Sequence, residues 1–181
     1  MRGCIGKGCC DAELLQMKLL RKEAVTLISF YRLLNLSAGE MAAYSKNVKS
    51  ESSLDDDVAL EVLHFHIRKY IEHQFKSYST SYLTAVLSGY LTIPICIIGK
   101  PSKLLPCFCC GYKTLDKRGE YDICAVCFWE DDGSKDIEEV SGPNHLTLCQ
   151  AKENFSEFGV VEKRFQKVVH PDRMLQFEKT I

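Results

Sequence analysis

Cys107 and Cys110 form one C-x-x-C pair, and Cys124 and Cys127 form a second, with thirteen residues between the pairs. Two such turns can present four thiolates to one ion, and zinc takes that arrangement as a tetrahedron with bonds of about 2.3 Å. A site of this kind supplies apparent binding energy on the order of 10 kcal/mol, a large share of a small subdomain's stability. The expected cofactor is therefore one Zn2+ per chain, held structurally with no open coordination position. Iron in the same four-thiolate cage, as in rubredoxin, satisfies the ligand type equally. Zinc is preferred because nothing else in the chain points to electron transfer. A thioredoxin-type centre would need one C-x-x-C in a βαβ setting, which this segment does not offer.

The surrounding residues suit a metal knuckle. Gly111 follows Cys110 directly, where the chain must fold back so that its amides face sulfur. The stretch GYKTLDKRGEYDI reads as a β-hairpin, with Tyr112 and Thr114 on one arm and Tyr121 and Ile123 on the other. Lys117, Arg118 and Gly119 supply its turn. Cys109, the fifth thiol of the cluster, is read as a packing residue. Cys4, Cys9, Cys10, Cys96 and Cys149 are expected to be free thiols.

CFCCGYKTLDKRGEYDICAVCFWEDDG, with the later NHLTLCQAKENFSEFG, resembles the bacterial cysteine-rich CPCC domain family over roughly residues 105–170. EAVTLISFYRLLNLS, residues 23–37, resembles the N-terminal extension of longer members. Phe108 replaces the family's name-giving proline, and Ala125 replaces the proline usual in its second C-x-x-C. Both changes fall between ligands, so they touch knuckle rigidity and leave the ligand count intact. The resemblance implies a small zinc-ribbon-like module and no particular enzyme activity.

The elements that must position the cysteines divide the chain into three. Residues 1–78 form a helical N-terminal region, 79–106 an apolar connector with a short helix and a strand, and 107–181 the cysteine-rich domain. In the first, Asp11 is a plausible N-cap for a helix carrying Leu14, Leu15, Leu19, Leu20, Leu27, Ile28 and Tyr31 toward one side. Ser37 and Glu40 have capping-box spacing and open a second helix. VKSESSLDDD reads as a polar surface loop. VALEVLHFHIRKYIEHQF reads as an amphipathic helix with Leu63, Ile67, Tyr70, Ile71 and Phe75 toward the core. His64, His66 and His73 on it lack the two-His, one-Glu spacing of a zinc-protease helix, and are read as surface or satisfied core residues.

The connector's YLTAVLSGYLTIPICIIG is interrupted by Gly89 and Pro94 and barely reaches the length a bilayer needs, so a buried helix followed by a strand is expected. Pro94 places that strand at an edge or bulge. In the last segment Thr147 and Gln150 have capping-box spacing, Leu148, Ala151, Phe155 and Phe158 share a face, and Gly159 sits where a helix-ending glycine belongs. The class is α+β: a helical N-terminal region, a zinc-ribbon-like β-hairpin module and a C-terminal helix.

Bulk properties narrow the function. At 181 residues the chain can bury roughly 70% of its unfolded surface, so cysteine staples are not needed to fold it. The formal net charge of −1 argues against a nucleic-acid binder and against a polybasic membrane anchor. MRGCIGKGCCDAELL has no apolar signal-peptide core, and Arg2 stands where myristoylation needs glycine, so the expected compartment is the reducing cytoplasm. No nucleophile elbow, P-loop or dinucleotide fingerprint occurs, and no enzyme is expected. HPD, His170–Asp172, matches the tripeptide of J-domain co-chaperones but lacks room for the second helix, and is read as coincidence.

What remains is binding. Residues 107–181 carry ten Lys or Arg against fourteen Asp or Glu, a net charge of −4. Phe128 and Trp129 as aromatic anchors, with Glu130, Asp131 and Asp132 as an acidic flank, form the expected contact surface for a basic protein partner. The sharpest version is a cytoplasmic immunity protein that covers a toxin. The rival is a redox or electron-transfer protein using iron or reactive thiols in the four-cysteine cage.

Overall fold

The computed structural model describes residues 16–52, 54–55 and 57–180. Asp11 and the cysteines at 4, 9 and 10 lie outside these residues. The architecture is α+β, in two compact units. One takes the chain up to residue 75 together with 83–100, and the other takes 76–82 and 101–181.

Among the described residues, the first unit holds a strand, β1 (Met17–Leu20), helices α1 (Arg21–Leu34), α2 (Ala38–Ser52) and α3 (Leu60–Phe75), α4 (Thr80–Leu91) from Leu83 onward, and a second strand, β2 (Ile95–Ile98). β1 and β2 pair in parallel, from Met17 opposite Ile95 to Leu20 opposite Ile98. Parallel neighbours need a long crossover, which is why four helices lie between them in sequence. The expected helix running from Asp11 through Leu19 and Leu20 is therefore corrected: those leucines belong to β1. The helix opens at Arg21, where the Glu23 carboxylate accepts from the Leu20 amide at 2.9 Å.

The buried face of α1 is Ala24, Val25 and Ile28, whereas Leu27 and Tyr31 stay more than a third exposed. Tyr31 instead stacks on Tyr90, with ring centroids 4.0 Å apart. Ser37 and Glu40 form the expected capping box, the Ser37 amide donating to Glu40 at 2.9 Å and the Glu40 amide to the Ser37 hydroxyl at 3.3 Å. Helix α2 then runs through Ser52, so half of the expected VKSESSLDDD loop is helical, with Val48 buried. On α3 Ile67, Ile71 and Phe75 are buried, and Leu63 and Tyr70 are half-buried. Leu83 and Leu87 of α4 and Ile95 and Ile97 of β2 complete the apolar interior of this unit. Among the described residues no helix is long and apolar enough to cross a membrane.

The second unit contains a two-stranded antiparallel pair, β3 (Leu105–Pro106) and β4 (Lys113–Leu115), then α5 (Leu148–Phe158), a 3₁₀ segment Lys163–Lys167 and a short α6 (Arg173–Gln176). The expected hairpin between 112–114 and 121–123 does not form. β4 pairs with β3, immediately before the first knuckle, and Ile123 bridges Glu130 beyond the second. Each arm thus closes around its own C-x-x-C. Helix α5 matches expectation in detail. Thr147 and Gln150 cap it reciprocally, at 3.0 and 3.1 Å, and Gly159 ends it at φ 72° with its amide donating to Phe155.

Candidate metal centre

The two C-x-x-C turns repeat one backbone pattern. In the first, the Cys107 amide donates to the Tyr112 carbonyl at 2.8 Å and the Gly111 amide returns to the Cys107 carbonyl at 2.9 Å. In the second, the Cys124 amide donates to the Trp129 carbonyl at 2.8 Å and the Phe128 amide returns to the Cys124 carbonyl at 2.9 Å. The fifth residue of each turn has left-handed backbone, Gly111 at φ 76° and Phe128 at φ 70°. Glycine adopts that conformation freely. A phenylalanine there is strained, and Phe128 is held by stacking on Phe165 at 4.1 Å.

These turns aim four sulfurs at one point. Cys107, Cys110, Cys124 and Cys127 are all buried, and their sulfurs lie within 4.8 Å of one another. Two cross-turn pairs lie at hydrogen-bonding separation, Cys107 to Cys127 at 3.7 Å and Cys110 to Cys124 at 3.6 Å. Zinc–sulfur bonds of about 2.3 Å in a tetrahedron have sulfur–sulfur edges of about 3.8 Å, so the cage fits a four-thiolate ion. The four cysteines are free thiols, not disulfides.

Electrostatics within the quartet are uneven. Hydrogen bonds from Cys107, then Cys110 and Cys127, hold Cys124 well below the ordinary thiol range against the opposing effect of burial, and Thr114 adds to them. Cys110 is pushed up by its hydrogen bonds with Cys107 and Cys124. Cys127 is pushed up by burial first and then by Cys107.

Around the cage, Leu115, Val126, Trp129, Leu148, Ala151 and Val161 form a buried, largely apolar wall. Cys109 lies outside the quartet and donates its thiol to the Ala151 carbonyl at 3.4 Å, the packing place expected of it. Cys149 is half-buried at the start of α5, and its amide donates to Ile137.

Of the expected contact surface at 128–132, Phe128, Glu130 and Asp132 are half-buried, and Trp129 and Asp131 are corrected. Trp129 is 1% exposed and packs in the core beside the cage, and Asp131 is fully buried, so neither is offered to a partner. Glu130 is tied through its backbone to Asn144, which accepts from the Glu130 amide at 2.9 Å and donates to its carbonyl at 2.8 Å. Asp132 accepts from the Ser134 amide at 3.1 Å and so shapes its own turn. Further along the same acidic run, Asp136, Glu138 and Glu139 are exposed, beside exposed Ile137 and Val140.

Arg118, read in the sequence as a turn residue, spans the two turns. Its guanidinium donates to Asp131 at 3.2 Å and to the carbonyl of Pro106, and lies over the Phe108 ring at 3.8 Å. Arg173, which follows the HPD tripeptide, donates to the Val126 carbonyl at 2.8 Å and to Gly159 at 3.1 Å. The tripeptide's own bonds are local: His170 Nδ1 accepts from the Asp172 amide at 3.1 Å.

Residues 105–174, less than half of the chain, match the family described as Cysteine-rich CPCC. No curated protein and no solved structure matches the chain.

Proposed function

We propose that the chain is a non-enzymatic protein-interaction module whose second unit is held by a structural zinc ion on Cys107, Cys110, Cys124 and Cys127. The observation that carries this reading is the closure of the cage: the four cysteines are at most 4% exposed and spaced for one tetrahedral ion. Catalytic zinc keeps a position for water or substrate, whereas four protein sulfurs fill the tetrahedron. The ion then acts on shape alone. It fixes two turns and the segment that follows them, where Asp136, Glu138 and Glu139 stand exposed with Ile137 and Val140. Acidic and apolar groups side by side suit a basic protein surface.

In its sharpest form the module is a cytoplasmic immunity protein, and the basic surface belongs to a toxin encoded beside it. Native mass spectrometry of protein purified without added metal tests the clamp, with one zinc per chain expected. Iron, with a visible absorption band, would put electron transfer in its place. Titration calorimetry against a neighbouring toxin tests the partner. Binding that is lost when Asp136, Glu138 and Glu139 are changed to Lys supports the docking face, and no heat with any such toxin removes the immunity role.

A further inference from the structure

The Thr114 hydroxyl donates to Cys124 Sγ at 3.1 Å, from the middle of β4. Thr114 holds no metal, and the fold does not need a hydroxyl there, since β4 pairs with β3 through backbone groups. Its polar atom is spent on a sulfur of the cage. Four thiolates around one divalent cation leave a net charge of −2 in a site whose wall is apolar. Hydrogen bonds to charged acceptors are the strong ones, and partners of this kind tune a metal ligand without touching the metal.

We propose that Thr114 is a positioning residue that makes the metal centre asymmetric: its hydroxyl draws electron density from the Cys124 sulfur, orients it, and makes Cys124 the ligand least open to attack. The inference rests on the structural-metal reading above. A sulfur lone pair engaged by a hydroxyl lies lower in energy, donates less charge to the metal and is a weaker nucleophile. The other three thiolates then become the points where the cage opens.

The test uses the full chain loaded with cobalt(II) and, separately, with zinc. Thr114→Val keeps the shape and removes the donor, and Thr114→Ser keeps the donor. With cobalt, the sulfur-to-metal charge-transfer band is expected to move to lower energy in Thr114→Val and to return in Thr114→Ser. The ligand-field bands should remain tetrahedral in all three proteins. With zinc, transfer to a competing chelator should become easier in Thr114→Val by roughly tenfold, the low end of what losing a partner to a ligand costs a metal centre. An unshifted band in a Thr114→Val protein that still binds cobalt overturns the role of Thr114 and leaves the clamp standing. A Thr114→Ser protein that behaves like Thr114→Val does the same. If Thr114→Val fails to fold, alkylation of the zinc-loaded wild type with N-ethylmaleimide decides: Cys124 should be modified last, and its modification first overturns the inference. A wild type that binds neither metal removes the clamp and the inference together.

Discussion

Asp131 closes the cysteine-rich unit on Arg118. One carboxylate oxygen accepts from the Arg118 guanidinium at 3.2 Å, and the other from the Gly119 amide at 2.9 Å. The same guanidinium reaches Pro106, the residue before Cys107, so a side chain beyond the second C-x-x-C fixes the approach to the first. Asp131→Ala leaves a partly buried cation without its counter-charge and the Gly119 amide without its acceptor. Breaking a buried pair costs about 3–5 kcal/mol, and because Arg118 keeps 25% of its side chain in water we expect about 2–3 kcal/mol here. Urea unfolding of the metal-loaded protein, followed by the fluorescence of Trp129, should show a lower midpoint with an unchanged slope. An unchanged midpoint would show that water replaces the carboxylate at no cost.

Trp129 is the chain's one tryptophan and packs with the cage cysteines in one buried cluster. Its emission therefore reports the cage and little else. Stripping the metal with a strong chelator should move that emission to longer wavelength as water enters, and adding zinc back should reverse it. Cys124→Ser should show the metal-free emission from the start. The helical far-UV signal should change far less, because most of the helical residues lie in the other unit. Emission that ignores chelation would mean the packing of Leu115, Val126 and Trp129 stands without the ion.

The cysteine quartet was legible because metal chemistry imposes short-range spacing, and C-x-x-C survives as a pattern whatever the fold around it. The caps of α2 and α5 were legible for the same reason: Ser37 with Glu40 and Thr147 with Gln150 each satisfy backbone groups three residues apart. What failed was long-range. Nothing local tells that Leu19 and Leu20 will pair with Ile97 and Ile98, across more than seventy residues, and so become strand. Trp129 and Asp131 lie in a run of aromatic and acidic residues that reads as surface. Burial of Asp131 depends on Arg118, and no periodicity links those two positions. Phe128 carried no signal at all, since a left-handed residue is expected to be glycine.

Glu72 gives the first unit a specific acid sensitivity. Burial alone would raise its carboxyl above the ordinary 4.5, but hydrogen bonding from Lys69 and the charges of Arg68 and Lys69 outweigh that and hold it lower. Its salt bridges are to Arg68 and to Lys69, the latter at 2.9 Å. A carboxyl depressed in the fold stabilises it above the unfolded value, and that contribution is lost as pH falls through the folded value. Wild type should therefore lose helical stability as pH drops below 4.5. Glu72→Gln should be less stable at neutral pH and should show a shallower acid slope. Parallel acid profiles for the two proteins would assign the sensitivity to other carboxylates.

Gly111 and Phe128 hold the same place in two turns built alike, and substitution at each weighs different terms. At Gly111 an added Cβ would meet Lys179 Cε at 3.8 Å, an ordinary contact, so space does not decide the matter. The backbone does. At φ 76° an L side chain costs about 1–2 kcal/mol, and Gly111→Ala should lower the unfolding free energy of the metal-loaded protein by that amount. Part of it should reappear as weaker zinc retention, because the turn aims Cys107 and Cys110. Phe128→Gly removes the same strain from the second turn but also removes the ring stacked on Phe165. An aromatic pair contributes about 0.5–1.5 kcal/mol beyond its buried area, so strain relief and lost stacking nearly cancel, and the lost area leaves a modest net destabilisation. Adding Phe165→Ala separates the terms. In that background Phe128→Gly should cost clearly less than it does alone, because the stacking is already gone, and the difference measures what keeps a phenylalanine in a glycine's conformation. Equal costs in both backgrounds would mean that the stack with Phe165 does not hold the turn.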